Sequence, residues 1–181
     1  KRLKMVPETE EQLKPYTQKI SAEKQKQLFS AYADYPSRDG ILDIITDGIF
    51  TVPSVKFADA QSSHAPTYMY RFDWTSGGLR MVGLKACHGL ELPFVFGTLD
   101  TKLGKMVQIM ADKKRVRQLS EQVQQSWLSF AKTGNPNSNS ESGWKPYNVA
   151  SRNTLIFDKS NYIANDPENQ KLKAWDGVNI F

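Results

Sequence analysis

The segment from Thr67 to Trp74 constrains the fold of this chain more than any other feature of its sequence. Its residues, Thr-Tyr-Met-Tyr-Arg-Phe-Asp-Trp, are mostly aromatic or apolar, and turn-forming residues flank them, with Pro66 before and Thr-Ser-Gly-Gly after. Aromatic residues between such turns indicate a β-strand. Because the hydrophobic run is nearly continuous rather than alternating, we expect both faces of this strand to be buried, as in a mainly parallel sheet covered by helices.

The sequence before this strand predicts three helices. Thr9, Ser21 and Ser37 are their expected N-terminal caps, since a side-chain hydroxyl can accept a hydrogen bond from an unpaired backbone N–H of the first turn. Pro15 is expected to end the first helix soon after it starts. The third helix has isoleucines at near-helical spacing and contains Pro53, which should bend it because proline lacks the N–H that a helix interior requires.

The sequence after the strand predicts one long helix, a short strand and a closing helix. Between about Asp112 and Lys132 apolar residues recur at steps of three or four, and the sequence Thr-Gly-Asn-Pro then ends the helix. A polar loop is expected over 137–143, a strand over Leu155–Asp158 and a last helix over Pro167–Trp175. Helices around a few buried strands make α/β the predicted fold class.

Composition places the chain among globular proteins and limits its partners. Hydrophobic residues make up 39% and charged residues 24% of the chain, which excludes a disordered chain or a coiled coil. No apolar stretch approaches the roughly 20 residues needed to cross a bilayer, so we expect no membrane partner. The net charge of +5 comes from scattered basic residues, and the densest run, 113–117, opens a helix; it indicates a solvated helix face and no nucleic-acid partner.

Length and cysteine content predict one structural unit without an internal disulfide bond. The 181 residues correspond to a single domain or a piece of a larger one, and a chain of this size can bury a core of its own. Cys87 is the one cysteine, which favours a reducing, cytoplasmic location without excluding secretion. Because the chain starts at Lys1 rather than at methionine, we expect it to be part of a longer polypeptide.

Two histidines are the candidates for proton transfer near neutral pH. His64 lies in a polar Gln-Ser-Ser-His-Ala-Pro turn, which indicates a surface or capping role. His88 lies in Lys-Ala-Cys-His-Gly-Leu-Glu-Leu-Pro-Phe, where polar residues are flanked by apolar ones, and both a structural and a functional role are open. Cys87 and His88 do not form a nucleophile–base pair, since neighbouring side chains in an extended chain point to opposite sides.

Motifs for metals, phosphates and nucleophilic serines are absent from the sequence. The cysteine and the two histidines have no recognised ligand spacing, and there is no glycine-rich phosphate or dinucleotide loop, so neither a metal nor a cofactor is expected. Asp43 and Asp47 lie one helical turn apart, but two carboxylates without a third ligand indicate a structural role. Gly-x-Ser-x-Gly, the nucleophile elbow of serine hydrolases, is missing as well.

The run Ala-Cys-His-Gly-Leu-Glu-Leu-Pro-Phe-Val-Phe-Gly, residues 86–97, resembles the histidine segment of the type-B carboxylesterases, the family of bacterial para-nitrobenzyl esterases and cholinesterases. Four further blocks resemble that family in the same order. They are the helix Thr-Asp-Gly-Ile-Phe with its later proline (46–53), the strand Tyr-Met-Tyr-Arg-Phe-Asp (68–73), the helix end Trp-Leu-Ser-Phe-Ala-Lys-Thr-Gly-Asn-Pro (127–136) and the turn Trp-Lys-Pro-Tyr (144–147). Because five blocks agree in order, the resemblance is far more specific than any single block.

The resemblance implies an α/β-hydrolase fold that hydrolyses carboxylic esters through a Ser-Glu-His triad in that chain order. His88 matches the triad histidine, which takes the serine proton during attack and returns it to the leaving alcohol. Glu91 is expected to be an orienting, hydrogen-bonded carboxylate behind the site, with a structural ion pair as the alternative. Asp73 ends the predicted strand, where a triad acid could lie, but its position does not match the acid of the family, and Asp47 matches a position of structural support.

The same resemblance places the serine elbow, the oxyanion-hole glycines and the triad glutamate upstream of Lys1. We therefore expect residues 1–181 to be a single segment, the C-terminal part of an α/β-hydrolase domain from a serine carboxylesterase, with helices packed on a few central strands. Alone it should be inactive and prone to self-association, and the missing N-terminal part would be its partner. A catalytically inactive, cholinesterase-like protein-interaction domain and a basic binding module are the alternatives.

Overall fold

The computed structural model describes residues 6–137 and 143–178, so most of the predicted polar loop 137–143 lies outside the described residues. The chain divides into two compact units, one formed by Lys1–Gln61 with Glu168–Phe181 and the other by Ser62–Pro167. In chain order the elements are α1 (Glu10–Thr17), α2 (Ala22–Ser30), α3 (Arg38–Thr46), a π-helical turn (Asp47–Thr51), α4 (Val52–Gln61), β1 (Met69–Phe72), α5 (Gly77–Met81), α6 (Leu92–Val95), α7 (Lys102–Val107), α8 (Lys113–Thr133), β2 (Thr154–Phe157), β3 (Tyr162–Ala164) and α9 (Asn169–Ala174).

The helix starts of the first unit follow the predicted caps. The hydroxyls of Thr9, Ser21 and Ser37 accept hydrogen bonds from the backbone N–H three residues later, at 3.3, 3.3 and 3.2 Å. The prediction that Pro15 ends the first helix is wrong, because α1 continues through Pro15 to Thr17. Pro15 lies in the last turn, where its missing N–H costs one hydrogen bond, and the next bonds still close the helix.

A π-helical turn interrupts the third predicted helix, just before Pro53. α3 ends at Thr46, the turn covers Asp47–Thr51, and α4 resumes with Pro53 as its second residue. Proline cannot donate to the carbonyl four residues back, so the regular ladder cannot run through this point, and the wider turn takes its place. The helix is thus irregular next to Pro53, where a bend was predicted. The buried side chains of α1, α2, α3 and α9 form the core of this unit, including Leu13, Leu28, Ile41, Ile44 and Trp175.

The second unit contains a three-stranded sheet in the order β1-β2-β3. β1 and β2 run parallel, with Met69 opposite Thr154 and Phe72 opposite Phe157, whereas β2 and β3 are antiparallel. The sheet is therefore mixed rather than mainly parallel. β3 was not predicted, because three residues carry too little periodicity to stand out from a loop.

Burial differs between the two parallel strands. All four residues of β2 are buried, but all four of β1 are only partly buried, so the expectation of full burial for β1 is wrong in this chain. The reason is its position, since among the described strands β1 pairs with β2 alone and lies at the edge of the sheet. Within residues 6–137 and 143–178, no helix is both long and apolar enough to cross a bilayer.

The long helix α8 agrees with its prediction at both ends. The carboxylate of Asp112 accepts hydrogen bonds from Lys114 N and Arg115 N at 2.9 and 3.3 Å, and the helix ends at Gly134, whose φ of 73° a glycine adopts without steric cost. The core of the second unit lies between this helix, α6 and the sheet. Its buried members include Trp74, Leu90, Phe94, Val116, Leu119, Val123, Trp144, Leu155 and Phe157. Helices on a small sheet agree with the predicted α/β class.

Candidate functional site

His88 lies in a tight turn between α5 and α6 of the second unit. The N–H of Leu90 donates to the carbonyl of Cys87 at 3.0 Å, which closes the turn around the histidine. Gly89 follows with a φ of 78°, a left-handed conformation that glycine adopts at little cost. The His88 side chain is exposed, so the imidazole can be reached from solvent.

Helix α6 anchors the end of this turn in the core. Phe94 is fully buried, and its ring centroid lies 5.0 Å from that of Phe72 and 4.9 Å from that of Trp74. The hydroxyl of Ser120, on α8, donates to the carbonyl of Phe94 at 2.9 Å. α6 therefore packs against two neighbours, the aromatic face of β1 and helix α8.

Glu91 joins the histidine turn to α6. It is partly buried, and its carbonyl accepts the N–H groups of Phe94 and Val95 at 2.9 and 3.0 Å. Burial raises the pKa of the Tyr70 phenol on β1, and the negative charge of Glu91 raises it further. A hydrogen bond from Trp127 lowers it.

Aromatic rings surround Tyr70. Their centroids lie 6.2 Å away for Trp127, 6.3 Å for Trp144 and 5.5 Å for Phe157, each in an edge-on arrangement. The Trp144 indole N–H donates to the carbonyl of Met69 at 3.1 Å. Tyr70, Trp127 and Phe157 fall in the predicted strands and long helix, but no sequence pattern indicated that these rings would meet.

The Asp73 carboxylate forms a bidentate ion pair with Arg71. Arg71 Nε and Nη2 donate to its two oxygens, each at 2.7 Å. Because side chains alternate along a strand, Arg71 and Asp73 lie on the face of β1 opposite to Phe72, and Phe94 packs against the Phe72 face. Asp73 therefore lies on the face of β1 opposite to α6, and both of its carboxylate oxygens are paired with Arg71.

Asp47 belongs to a buried polar network in the first unit. It is 6% exposed and accepts a hydrogen bond from the Tyr32 hydroxyl at 2.9 Å, while the Lys171 ammonium lies 2.9 Å from the same carboxylate oxygen. The Trp175 indole N–H donates to the Tyr32 oxygen at 2.7 Å. The network agrees with the structural role predicted for Asp47. Among the described residues, no three His, Cys, Asp or Glu side chains form a group that could hold a metal ion.

His64, Cys87 and Ser76 are the other residues of the sequence with side chains that could take part in proton transfer or nucleophilic attack. His64 is exposed in the turn after α4, and Cys87 is an exposed free thiol next to His88. Ser76 is buried, and its hydroxyl accepts the N–H of Leu79 at 3.2 Å, so it caps α5 rather than acting as an exposed nucleophile.

A groove of about 820 Å³ opens beyond the carboxyl ends of β1 and β2. The segments that follow these two strands, 74–77 and 158–161, form one side of it, and the first half of α8 forms the other. In open α/β sheets ligands bind in the crevice at this end of the strands. His88, which lies later on the connection between β1 and β2, is not among the residues that line this groove.

Comparison with known proteins gives one consistent family. Residues 2–175 match the model of the carboxylesterase family. The chain is 44% identical over 148 residues to para-nitrobenzyl esterase of Bacillus subtilis (strain 168), an alignment that covers 81% of this chain and 29% of that protein.

Solved structures agree with the sequence match. A thermophilic PNB esterase superposes with a TM-score of 0.71 at 36% identity, over 92% of this chain and 33% of its own. A carboxylesterase from Geobacillus stearothermophilus superposes with a TM-score of 0.74 at 27% identity, over 94% of this chain and 35% of its own. The predicted fold class, part of an α/β-hydrolase fold, is thereby confirmed, and the chain spans about a third of the length of the proteins it matches.

Proposed function

This chain belongs to the carboxylesterase family, and we propose that it is the part of a serine carboxylesterase that supplies the triad histidine, His88. In the complete enzyme, His88 takes the proton of the nucleophilic serine during attack on the ester carbonyl. It then returns that proton to the leaving alcohol, while the triad acid holds its tautomer and stabilises the imidazolium. The substrate class is a carboxylic ester.

The position of His88 carries this proposal. The histidine lies in the block 86–97 that resembles the histidine segment of the family, between α5 and α6, and its side chain is exposed. The Leu90 N–H to Cys87 carbonyl hydrogen bond closes the turn, and the buried Phe94 of α6 follows it. A catalytic base has to be accessible, and the exposure of His88 supports that role.

The other catalytic groups would come from outside these 181 residues. The sequence has no Gly-x-Ser-x-Gly elbow, and Ser76, which precedes a glycine pair, is used as a helix cap. The relatives are about three times as long as the matched segment, since the alignment covers 29% of the Bacillus subtilis protein. We therefore assign the nucleophile, the oxyanion donors and the triad glutamate to the remainder of the polypeptide.

The exposed apolar side chains of the segment that contains His88 support such an assignment. Between residues 81 and 96, five large apolar side chains are exposed: Met81, Val82, Leu84, Leu92 and Phe96. Three of them exceed 70% exposure, which is costly in water unless another surface covers them. We infer that the remainder of the hydrolase fold covers these side chains in the complete protein.

The deciding experiment uses the polypeptide that contains this chain together with its upstream sequence. His88→Ala should lower the turnover of p-nitrophenyl acetate by about a thousandfold or more, because the general base of the triad is lost. His64→Ala is the matched control, since it removes an exposed histidine of the same unit and should leave turnover unchanged. Full activity of the His88 variant would contradict the assignment, and the absence of activity from the unaltered polypeptide would favour an inactive interaction domain.

A further inference from the structure

We propose that Ser120 of α8 is a positioning residue of the esterase site: its hydroxyl binds the backbone of α6 and thereby sets the placement of the turn that carries His88. This inference rests on the proposed role of His88 as the triad histidine. The sequence placed Ser120 within the predicted long helix, but neither a motif nor the family resemblance pointed to it.

Helix α6 depends on contacts with other elements for its orientation. It has only four residues, Leu92–Val95, and a single helical turn is not stable by itself. The Phe94 ring is buried in the core, but burial of an apolar side chain gives attraction without a preferred direction. A hydrogen bond, in contrast, weakens steeply when its angle changes. A hydrogen bond to the backbone of α6 can therefore set how this turn is rotated.

Ser120 makes such a bond from α8. Its side chain is 3% exposed, and its hydroxyl donates to the Phe94 carbonyl at 2.9 Å. This carbonyl lies in the last turn of α6, where helix carbonyls have no donor within their own helix. The N–H four residues later, that of Thr98, donates instead to the Pro93 carbonyl at 2.9 Å. Ser120 thus supplies the donor that the end of α6 requires.

Gln124 directs the Ser120 hydroxyl toward α6. Its Nε2 atom donates to Ser120 Oγ at 2.9 Å and to the Ser120 carbonyl at 3.2 Å. A serine hydroxyl inside a helix commonly donates to a carbonyl of its own helix, whereas this one donates to another helix while it accepts from Gln124. Hydrogen bonds in such a series strengthen each other.

Gln124 also lies against the backbone that follows α6. A Cβ atom at Gly97 would come 2.8 Å from Gln124 Oε1, so the absence of a side chain at Gly97 leaves room for the amide. The pair Ser120–Gln124 therefore contacts the last turn of α6 and the residue that comes shortly after it.

Three overlapping backbone hydrogen bonds lead from Phe94 back to the histidine turn. They run from the N–H groups of Phe94, Leu92 and Leu90 to the carbonyls of Glu91, Gly89 and Cys87, at 2.9, 3.2 and 3.0 Å. The last of them spans His88. A rotation of α6 would therefore displace the backbone that carries the imidazole. Because proton transfer depends on close placement of the base, loss of the Ser120 bond should slow the chemical step more than it weakens substrate binding.

The contact with α6 can be measured on the 181-residue chain without any enzymatic activity. Amide hydrogen exchange followed by mass spectrometry reports local opening of the segment 87–96. Ser120→Ala leaves a buried carbonyl without its donor and should accelerate exchange in this segment about tenfold or more. An unchanged exchange rate of 87–96 in a folded Ser120→Ala chain would overturn the proposal.

Ser129→Ala is the matched control for this measurement. Ser129 is also a buried serine of α8, and its hydroxyl donates to the Asn135 carbonyl at the other end of the helix. Its removal should leave exchange in the segment 87–96 unchanged. Equal acceleration of this segment in the two variants would mean that Ser120 acts only through the general stability of α8, and would contradict the proposal.

Gln124→Met tests the same contact with a smaller effect on the core. Gln124 is only partly buried, and methionine keeps the length of the side chain while it removes the N–H groups that bind Ser120. Exchange in 87–96 should be faster than in the unaltered chain but slower than in Ser120→Ala. Gln125→Met, at the exposed neighbouring glutamine, should leave it unchanged. Equal exchange rates in Gln124→Met and Gln125→Met would contradict the role of the pair.

The catalytic consequence is measured in the complete esterase. We expect Ser120→Ala to lower kcat about tenfold with KM changed less than about twofold, because a misplaced base slows the chemical step. Ser120→Thr retains a hydroxyl donor and should recover most of kcat. Ser129→Ala should have a normal kcat even where its melting temperature falls as far as that of Ser120→Ala. A lower melting temperature with a normal kcat in Ser120→Ala would show a purely structural role and overturn the proposal.

The two proposals fail in different ways. Retained activity of His88→Ala would remove the triad assignment, whereas the exchange rates of Ser120→Ala would still test the contact between α8 and the histidine turn. Loss of turnover in His88→Ala together with a normal kcat in Ser120→Ala would leave the triad assignment in place and show that the positioning role is wrong.

Discussion

The ammonium of Lys171 lies 2.9 Å from the Oδ2 atom of Asp47 and 5.2 Å from the centre of the Tyr32 ring. The Asp47 carboxylate is almost fully buried, whereas the Lys171 side chain keeps 35% of its surface exposed. The contact joins α9 to the π-helical turn within the first unit. A buried carboxylate needs such partners, because an unpaired charge in the protein interior is strongly unfavourable.

Removal of the cation should therefore destabilise the first unit. Lys171→Met keeps the length of the side chain and leaves Asp47 with the Tyr32 hydroxyl alone, so we expect a loss of about 1–3 kcal/mol, moderated because Lys171 is partly exposed to solvent. Lys173→Met, an exposed lysine of the same helix, should change the stability by less than about 0.5 kcal/mol. Urea unfolding followed by circular dichroism measures both, and equal losses would contradict a specific role for Lys171.

The same network predicts a loss of stability at high pH. Burial and the charge of Asp47 raise the pKa of Tyr32 well above its ordinary value of 10.0, and Asp47 raises the pKa of Lys171 despite an opposing effect of burial. A group whose pKa is raised by folding stabilises the folded state below the unfolded pKa, and this contribution is lost as the pH rises. Stability should thus be constant up to about pH 9.5 and then fall by about 1.4 kcal/mol per pH unit for each such group.

Tyr32→Phe tests the origin of that slope. It removes the titrating phenol, so the fall above pH 10 should become less steep than in the unaltered chain. Urea unfolding at intervals from pH 8 to pH 11 gives the two slopes. Identical slopes would mean that Tyr32 does not titrate differently in the folded and unfolded states.

The caps and the long helix were predictable from the sequence because their causes are local. Thr9, Ser21 and Ser37 each bond to a backbone N–H three residues away, and the end of α8 depends on Gly134. The break before Pro53 was equally predictable, since proline removes a specific hydrogen bond. These features need no knowledge of distant parts of the chain.

The contacts between distant segments were not predictable. The pairing of Asp47 with Lys171 joins residues more than a hundred positions apart, and the contact between the rings of Phe94 and Phe72 depends on how α6 packs against β1. The resemblance pointed to His88 and Glu91 as candidate site residues, but local patterns cannot place a side chain against a partner that the fold supplies. Burial of β1 was overestimated for the same reason, because its composition does not say how many strands flank it.

Gly89, next to His88, provides a test that separates the effect of backbone strain on stability from an effect on catalysis. Gly89 and Gly83 have φ values of 78° and 75°, and an added methyl group would meet only ordinary contact at Gly89 and nothing within 4 Å at Gly83. Alanine should cost about 1–2 kcal/mol at either position, because the left-handed conformation is unfavourable for a residue with a Cβ atom. In the complete esterase, Gly89→Ala should lower kcat, since it displaces the neighbouring His88, and Gly83→Ala should not.

Both kcat and the melting temperature are measured for Gly89→Ala and Gly83→Ala. Similar losses of melting temperature with a kcat loss confined to Gly89→Ala would support a catalytic turn. Equal kcat values in the two variants would mean that the backbone next to His88 has no influence on the reaction.

The isolated 181-residue chain should not catalyse ester hydrolysis. The nucleophile and the oxyanion donors supply most of the acceleration in enzymes of this kind, and the sequence has no serine elbow. With p-nitrophenyl acetate the chain should show no burst of nitrophenol and a rate no higher than that of an exposed histidine in a small peptide. Stopped-flow absorbance measures both, with the His88→Ala chain as control; a burst that disappears in this control would show that the chain contains a nucleophile of its own.

The apolar surface beside His88 predicts that this chain associates with itself when no other segment covers it. Met81, Val82 and Phe96 are 75%, 71% and 71% exposed, and side chains of this size gain about 1.5–3 kcal/mol each when buried completely. Analytical ultracentrifugation should therefore detect species larger than 20.5 kDa that increase with concentration. Replacement of Met81, Val82 and Phe96 by glutamine should shift the chain toward the monomer, whereas Phe57→Gln, an equally exposed site in the first unit, should not. A monomer at all concentrations would contradict the assignment of this surface as an interface.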